Sequence, residues 1–152
     1  MAHSLLGIAY SNRGATLLGE ASTNKAYELR AHATDRDRFF IMTIYDRQVT
    51  GNLEREGETL RLWAQTYPRD GVALGLMGGF YSAGTGQYQL QVDVSNHAIA
   101  LNPDAGQVIP AFYSAVNGHI GLGHLAEADR ALQRAVARGI QADALPDAYH
   151  LA

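Results

Sequence analysis

The sequence predicts an all-α fold of about four helix–turn–helix repeats, followed by a short C-terminal helix. Three observations predict it. Short turns end in glycines that are separated by 37, 35 and 37 residues, namely Gly14, Gly51, Gly86 and Gly123, and periods of this size are typical of stacked supersecondary units. The segments between the turns carry apolar residues at helical spacing, whereas the alternation typical of strands is poor. The chain also has 24 alanines, which favour helix.

The first helix of each repeat is predicted directly before its turn, over residues 2–12, 35–49, 71–83 and approximately 107–121. Thr34, with Asp37 three residues later, predicts a cap at the start of the second of these helices. Asp70 and Asp104 can cap the third and the fourth. We also expect the turn of the third repeat to be one residue longer than usual, and that of the fourth to be one residue shorter.

The second helix of each repeat follows its turn in a shared register. Twelve residues beyond the turn glycines stand Ala26, Trp63, Ala98 and Ala135. Trp63 and Tyr67 could form an aromatic ligand platform, but the register favours Trp63 as a core residue, because period-matched apolar positions normally face the core. Pro68 and Pro103 follow helix ends, where a proline can no longer continue the helix.

The repeats predict one array over residues 1–152, with boundaries at about 2–33, 34–69, 70–104 and 105–140 and a terminal helix at 145–152. The terminal helix has about two turns, which is too short to be stable without packing. It carries Leu145, Tyr149 and Leu151 but little charge. Because so short a helix covers its neighbour incompletely, we expect a two-fold homodimer through the C-terminal end.

Several segments share a pattern that goes beyond the period. The second repeat carries Gly51-Asn52-Leu53 and Leu62-Trp63-Ala64-Gln65-Thr66-Tyr67-Pro68-Arg69-Asp70. The third carries His97-Ala98-Ile99-Ala100-Leu101-Asn102-Pro103, and the fourth carries His124-Leu125-Ala126-Glu127-Ala128. These segments resemble tetratricopeptide (TPR) repeats over nearly the whole chain. The resemblance implies an α-solenoid, a right-handed superhelical array whose first helices line the concave side.

One position departs from the family's pattern. The family's small residue five positions after the turn glycine is Ala128 in the fourth repeat, but Gly19, Glu56 and Gln91 stand there in the others. Glu56 is therefore expected to bring a carboxylate into a crowded contact between helices, where its neighbour Gly57 makes room.

The resemblance implies a protein–protein interaction scaffold that binds a peptide or helix in a concave groove. It extends to TPR regions attached to bacterial Ser/Thr kinases or winged-helix regulators, so we expect a bacterial signalling or regulatory protein. By analogy, the groove takes residues from the first and third helices, namely Ile8, Ser11, Asn12, Arg38, Ile41, Tyr45 and Gln48. The alternative is a structural or oligomerisation segment of a larger regulator, with no peptide ligand.

Composition excludes several kinds of partner. The net charge of −3 offers no electrostatic reason for binding nucleic acid or an anionic membrane. No apolar run approaches the ~20 residues that a membrane span needs, and the N-terminus lacks the pattern of a signal peptide. We therefore expect a cytoplasmic protein. The absence of cysteine excludes disulfides and cysteine-ligated metals.

No catalytic motif survives inspection, so we expect no enzyme, cofactor or metal. The spacing from Gly79 to Gly84 fits a phosphate loop, but Thr85 stands where the lysine must be. Ser82 lacks the preceding glycine of a nucleophile elbow. His119 and His124 straddle one turn, but zinc needs three or four ligands.

Three arginines form a stripe on the last full helix at positions 130, 134 and 138. Such a stripe could bind a phosphopeptide or an acidic partner. Glu127 and Asp129 stand beside it, which favours a solvated helix face.

Overall fold

The computed structural model describes residues 1–102 and 105–140, and over these residues the chain forms helices and turns with no strand. The predicted all-α class is confirmed. The predicted terminal helix at 145–152, the dimer contact assigned to it, and the roles of Pro103 and Asp104 lie outside the described residues.

Eight helices follow one another along the described chain. In order they are α1 (Ala2–Asn12), α2 (Thr16–Glu28), α3 (Asp35–Tyr45), α4 (Leu53–Thr66), α5 (Gly71–Gly75), α6 (Tyr88–Leu101), α7 (Ala105–Gly121) and α8 (Leu125–Ala137). Two of them continue in other helical forms: α3 through a π-helical turn (Asp46–Thr50), and α5 through a π-helical turn (Leu76–Tyr81) and a last α turn (Ser82–Gly84). A short 3₁₀ turn (Arg30–His32) follows α2.

The four turn glycines have the backbone conformation that explains their recurrence. Their φ angles are 76°, 66°, 69° and 75° for Gly14, Gly51, Gly86 and Gly123. This left-handed region is open to glycine without the steric cost that a Cβ adds. Each second helix begins two residues after its glycine. The repeat period read from the sequence is therefore a period of real helical hairpins.

The turns of the third and fourth repeats have the same length, contrary to the expectation that they differ. The turns at 13–15, 85–87 and 122–124 each have three residues between helix end and helix start, and the turn at 51–52 has two. The extra residue that the sequence suggested for the third turn lies instead within the preceding helix. There the π-helical turn that follows α5 accommodates it, because a π turn holds one residue more than an α turn. Ser82 stabilises this segment by donating from Oγ to the Met77 carbonyl at 2.6 Å.

Two of the predicted helix caps are confirmed. The Thr34 Oγ1 accepts a hydrogen bond from the Asp37 N–H at 3.2 Å, and the Asp70 Oδ1 accepts one from the Val72 N–H at 3.0 Å. Asn52 caps α4 in the same way, through the Arg55 N–H at 3.0 Å. These bonds satisfy N–H groups that the first turn of a helix leaves without partners.

The chain divides into two compact units, each with two hairpins. The N-terminal unit (Met1–Pro68) packs α2 between α1 and α3, and α3 also packs on α4. The C-terminal unit (Arg69–Ala152) packs α6 against α5 and α7, and α7 against α8. The division falls within one residue of the predicted boundary between the second and third repeats. A single array across both units stays a prediction.

The shared register of the second helices is confirmed as a buried face. Ala26, Trp63, Ala98 and Ala135 are all buried. Trp63 is 0% exposed and packs near two aromatic rings of α3, with its ring centroid 6.1 Å from that of Phe39 and 6.3 Å from that of Phe40. Trp63 is thus a core residue of the N-terminal unit, as the register predicts.

Small residues let α1 and α2 approach closely. A Cβ added to Gly7 would clash with Thr23 Oγ1 and lie 3.0 Å from the carbonyl oxygen of Gly19. A Cβ added to Gly19 would lie 3.0 Å from the carbonyl oxygen of Gly7 in turn. The two helix backbones therefore approach each other closely at this pair of glycines.

Candidate ligand groove in the N-terminal unit

A cavity of about 380 Å³ opens where α1 begins, α2 ends and α3 begins. We name it the N-terminal cavity. Its floor contains Ala26 and Ile41, which are buried. Its rim contains Met1 and Leu29, and Leu29 is 43% exposed. Four polar residues also line it: His3, His32, Thr34 and Asp37. The cavity is thus apolar inside and carries a few polar groups around it, which is the usual make-up of a ligand pocket.

The link between α2 and α3 builds one wall of the cavity. After Leu29 the chain makes the 3₁₀ turn, and Thr34 then takes an extended conformation and caps α3. This cap fixes where α3 starts and so places Asp37 in its first turn, facing the cavity. The polar wall therefore depends on local capping chemistry.

Stacked side chains support the same wall. The rings of Tyr27 and Tyr45 are stacked, with centroids 3.8 Å apart and planes 14° from parallel. The guanidinium carbon of Arg30 lies 3.7 Å from the Tyr27 ring centroid, and its Nη1 donates to the Tyr27 carbonyl at 2.7 Å. Cation–π and stacking contacts of this kind hold the end of α2 in place, so the wall next to Leu29 is pre-organised.

The structure places the seven predicted groove residues in different settings. Ile41 lines the N-terminal cavity. Arg38, three residues earlier, forms an ion pair with Asp35 at the start of α3. On α1, Ile8 is half-buried and Asn12 is exposed.

The other three predicted residues make contacts with α2 instead. The Gln48 Oε1 accepts a hydrogen bond from Thr23 Oγ1 at 2.8 Å, and Tyr45 stacks on Tyr27. Ser11 occupies the space beside Gly19. These side chains hold helices together, and the structure does not bring them to the cavity. The groove as a set of seven residues stays a prediction.

Sequence reasoning found Ala26 of α2 but missed the cavity residues that the end of α2 and the following turn contribute. Leu29 and His32 lie beyond the helix whose face the repeat register describes, so no periodic signal marks them. The one signal present is the cap at Thr34, because it ends the link and brings the preceding residues next to α3. That signal predicts a boundary but not a cavity.

A cluster of charged side chains lies between the π-helical turn that follows α3 and the start of α4. The Glu56 side chain is 1% exposed, which confirms its expected place in a crowded contact between helices. The Arg47 Nε donates to Glu56 Oε1 at 2.7 Å, and Arg55 lies 3.8 Å from the buried Asp46 carboxylate. Burial raises the pKa of Glu56, Arg47 acts in the opposite direction, and the neighbouring charge of Asp46 adds to the rise.

The remaining chemical candidates do not assemble into a reactive centre. The rings of His119 and His124 lie 6.4 Å apart. Within residues 1–102 and 105–140, no three histidine or carboxylate side chains are placed to hold a metal ion. Over the same residues, no helix combines the length and the apolar character needed to cross a membrane.

Two comparisons with known proteins find no relative of this chain. A scan against protein-family models finds no matching family. A search of the curated proteins finds no match. The likeness to TPR repeats therefore remains a resemblance carried by the segments quoted above.

Proposed function

We propose that this chain is a protein-interaction scaffold whose N-terminal unit binds a peptide, with one apolar side chain of the peptide in the N-terminal cavity. The observation that carries the proposal is the partly exposed apolar rim of Met1 and Leu29 above the buried floor of Ala26 and Ile41. A bound apolar side chain would cover the rim, and full burial of such a side chain contributes about 1.5–3 kcal/mol. A scaffold role also fits the resemblance to TPR repeats.

The polar residues of the wall define the kind of peptide. Thr34, His3 and His32 offer hydrogen-bonding groups to a peptide backbone, and Asp37 offers a carboxylate. A carboxylate beside an apolar pocket favours a basic residue next to the apolar anchor. The proposed ligand is therefore a peptide that carries an apolar residue followed or preceded closely by lysine or arginine. We place the scaffold in a bacterial signalling or regulatory protein, on the resemblance alone.

A substitution at the rim tests this proposal. We expect panning of the full chain against phage-displayed random peptides to enrich sequences with an apolar anchor beside a basic residue. Leu29→Glu should weaken binding of the enriched peptide by at least about tenfold, because it puts a charge where the anchor is buried. Fluorescence polarisation with the labelled peptide measures the dissociation constants.

Leu62→Glu is the matched control, since Leu62 is an exposed leucine of α4 that is no part of the cavity. It should bind the peptide as the parent chain does. Equal losses in both variants, or the absence of any enriched peptide, would count against a peptide-binding function for this cavity.

One observation favours the alternative function as an oligomerisation segment. The α1–α2 hairpin exposes four leucines, Leu5, Leu6, Leu17 and Leu18, and Leu17 is 81% exposed. Several large apolar side chains exposed on one hairpin are a feature of surfaces that bind another protein. Self-association through this hairpin would cover them, without a peptide ligand.

Light scattering after size exclusion tests that alternative. If the hairpin is the interface, the mass should rise above 16.4 kDa with concentration, and Leu17→Lys should return it to the monomer value, because a buried unpaired charge opposes association. A dimer that persists in Leu17→Lys would point to a different contact, such as the predicted C-terminal end. A parent chain that remains monomeric at high micromolar concentration would exclude both.

A further inference from the structure

A second cavity, of about 550 Å³, lies in the C-terminal unit between the end of α7 and one face of α8. It is lined by His119, Glu127, Arg130, Gln133, Arg134 and Ala137. Residues 127, 130, 134 and 137 of α8 are spaced by three and four, so they share one face of the helix. The residues that line it belong to a different unit from those that line the N-terminal cavity.

The arginine stripe seen in the sequence divides in the structure. Arg138 binds the end of α6, where its Nη1 donates to the Ile99 and Asn102 carbonyls at 3.3 Å each. Arg130 and Arg134 line the cavity instead. Two guanidinium groups one helical turn apart therefore meet at a single concave surface.

These guanidinium groups retain capacity for a ligand. Arg134 donates to Asn96 Oδ1 at 3.3 Å through one Nη atom, whereas a guanidinium has five N–H donors. Arg130 pairs with Glu127 at 2.6 Å, and both side chains of that pair are exposed. Exposed ion pairs contribute little to the free energy of folding. An incoming anion can therefore bind Arg130 at little cost to its pair with Glu127.

We propose that this cavity is an oxyanion-binding site that takes a carboxylate or phosphate group of a ligand. The planar fork of a guanidinium matches both groups through paired N–H donors. The lining carries two arginines against one glutamate, so it is locally positive, although the chain as a whole carries a net charge of −3. The electrostatic attraction for an anion therefore comes from the residues that line this cavity and not from the net charge of the chain.

His119 makes the site sensitive to pH. Burial lowers its pKa, opposed by Glu127, while His124, Arg134 and Arg130 lower it further, so the imidazole is neutral at neutral pH. Protonation at lower pH adds a positive charge beside the two guanidinium groups. The pKa of Glu127 is lowered too, first by hydrogen bonding to its own backbone, so its carboxylate keeps its charge to lower pH than an ordinary glutamate does. For an anion whose own charge stays constant over this range, binding should therefore strengthen as the pH falls through the pKa of His119, and a bound anion should raise that pKa.

The test titrates the full chain with inorganic phosphate and, separately, with citrate at low ionic strength. NMR spectroscopy detects the binding. We expect both anions to shift the side-chain resonances of Arg134 and the ring resonances of His119, and to raise the pKa of His119. Arg134→Gln should weaken binding about tenfold, in keeping with the loss of a hydrogen bond to a charged group. Arg130→Gln should also weaken anion binding. A preference for phosphate or for citrate identifies which oxyanion the site favours.

Lys25→Gln is the control, because Lys25 is an exposed cation that pairs with Glu28 three residues away, as Arg130 pairs with Glu127. It removes the same charge from a different unit and should leave binding unchanged. The proposal is overturned if neither anion shifts His119 or Arg134, or if Lys25→Gln weakens binding as much as Arg134→Gln. Circular dichroism shows whether each variant keeps its helices.

Discussion

Replacing Trp63 with alanine should lower the free energy of unfolding by about 3–5 kcal/mol, as is typical when a large core side chain is truncated. The side chain is fully buried, and it contacts the rings of Phe39 and Phe40 on α3. Alanine would leave a cavity between α3 and α4 and remove both ring contacts. Urea unfolding followed by circular dichroism measures the change. Fluorescence does not suit the variant, because Trp63 is the chain's one tryptophan.

Leu62→Ala provides the comparison from the neighbouring position. Leu62 is 55% exposed, so the same kind of truncation should change stability by no more than about 0.5 kcal/mol. If the midpoint of unfolding of Trp63→Ala matches that of the parent chain, the packing of Trp63 does not stabilise the N-terminal unit.

Replacing Arg47 with methionine should destabilise the chain by about 3–5 kcal/mol near neutral pH, because it leaves the buried Glu56 carboxylate without its ion-pair partner. Arg47 holds that carboxylate through Nε at 2.7 Å and Nη2 at 2.6 Å. Methionine keeps much of the side chain's apolar length, so the change tests the charge more than the packing. Urea unfolding at several pH values measures the effect.

The pH dependence has a definite sign. Burial already raises the pKa of Glu56 in the folded chain above its ordinary value of 4.5. Between these two pKa values the folded state binds more protons than the unfolded state, so this group's contribution to stability is full below 4.5 and is lost as the pH rises through the raised pKa. Removing Arg47 raises that pKa further. The destabilisation by Arg47→Met should therefore shrink as the pH falls through these two raised pKa values, both of which lie above 4.5.

Glu56→Gln tests whether the charge of the Glu56 carboxylate causes the loss of stability in Arg47→Met. Glutamine has the same shape without the charge, so the double variant R47M/E56Q should recover most of the stability lost in Arg47→Met at neutral pH. The single variant Glu56→Gln should also flatten the pH dependence. A loss in Arg47→Met that is the same at all pH values, and that Glu56→Gln does not recover, would mean that Arg47 acts through packing alone.

The candidate sites were less predictable than the fold. Ile41 follows from the repeat register and does line the N-terminal cavity. Leu29 and His32 do not follow, because a link between helices has no period. In the C-terminal unit the sequence shows three arginines on one stripe, but only the packing of α6 separates Arg138 from the two that line the second cavity.

The sequence by itself determined the features that depend on neighbouring residues. Helical periodicity, the caps at Thr34 and Asp70 and the left-handed glycines at the four turns are local, since each is set by backbone conformation and by hydrogen bonds within a few residues. The tertiary structure alone decided which side chains of α1 and α3 face α2 and which face a cavity, and how Glu56 obtains a partner. Those outcomes depend on contacts between segments distant in sequence, such as Thr23 with Gln48, and on π-helical turns that shift the register of a helix face. No pattern within a single helix contains that information.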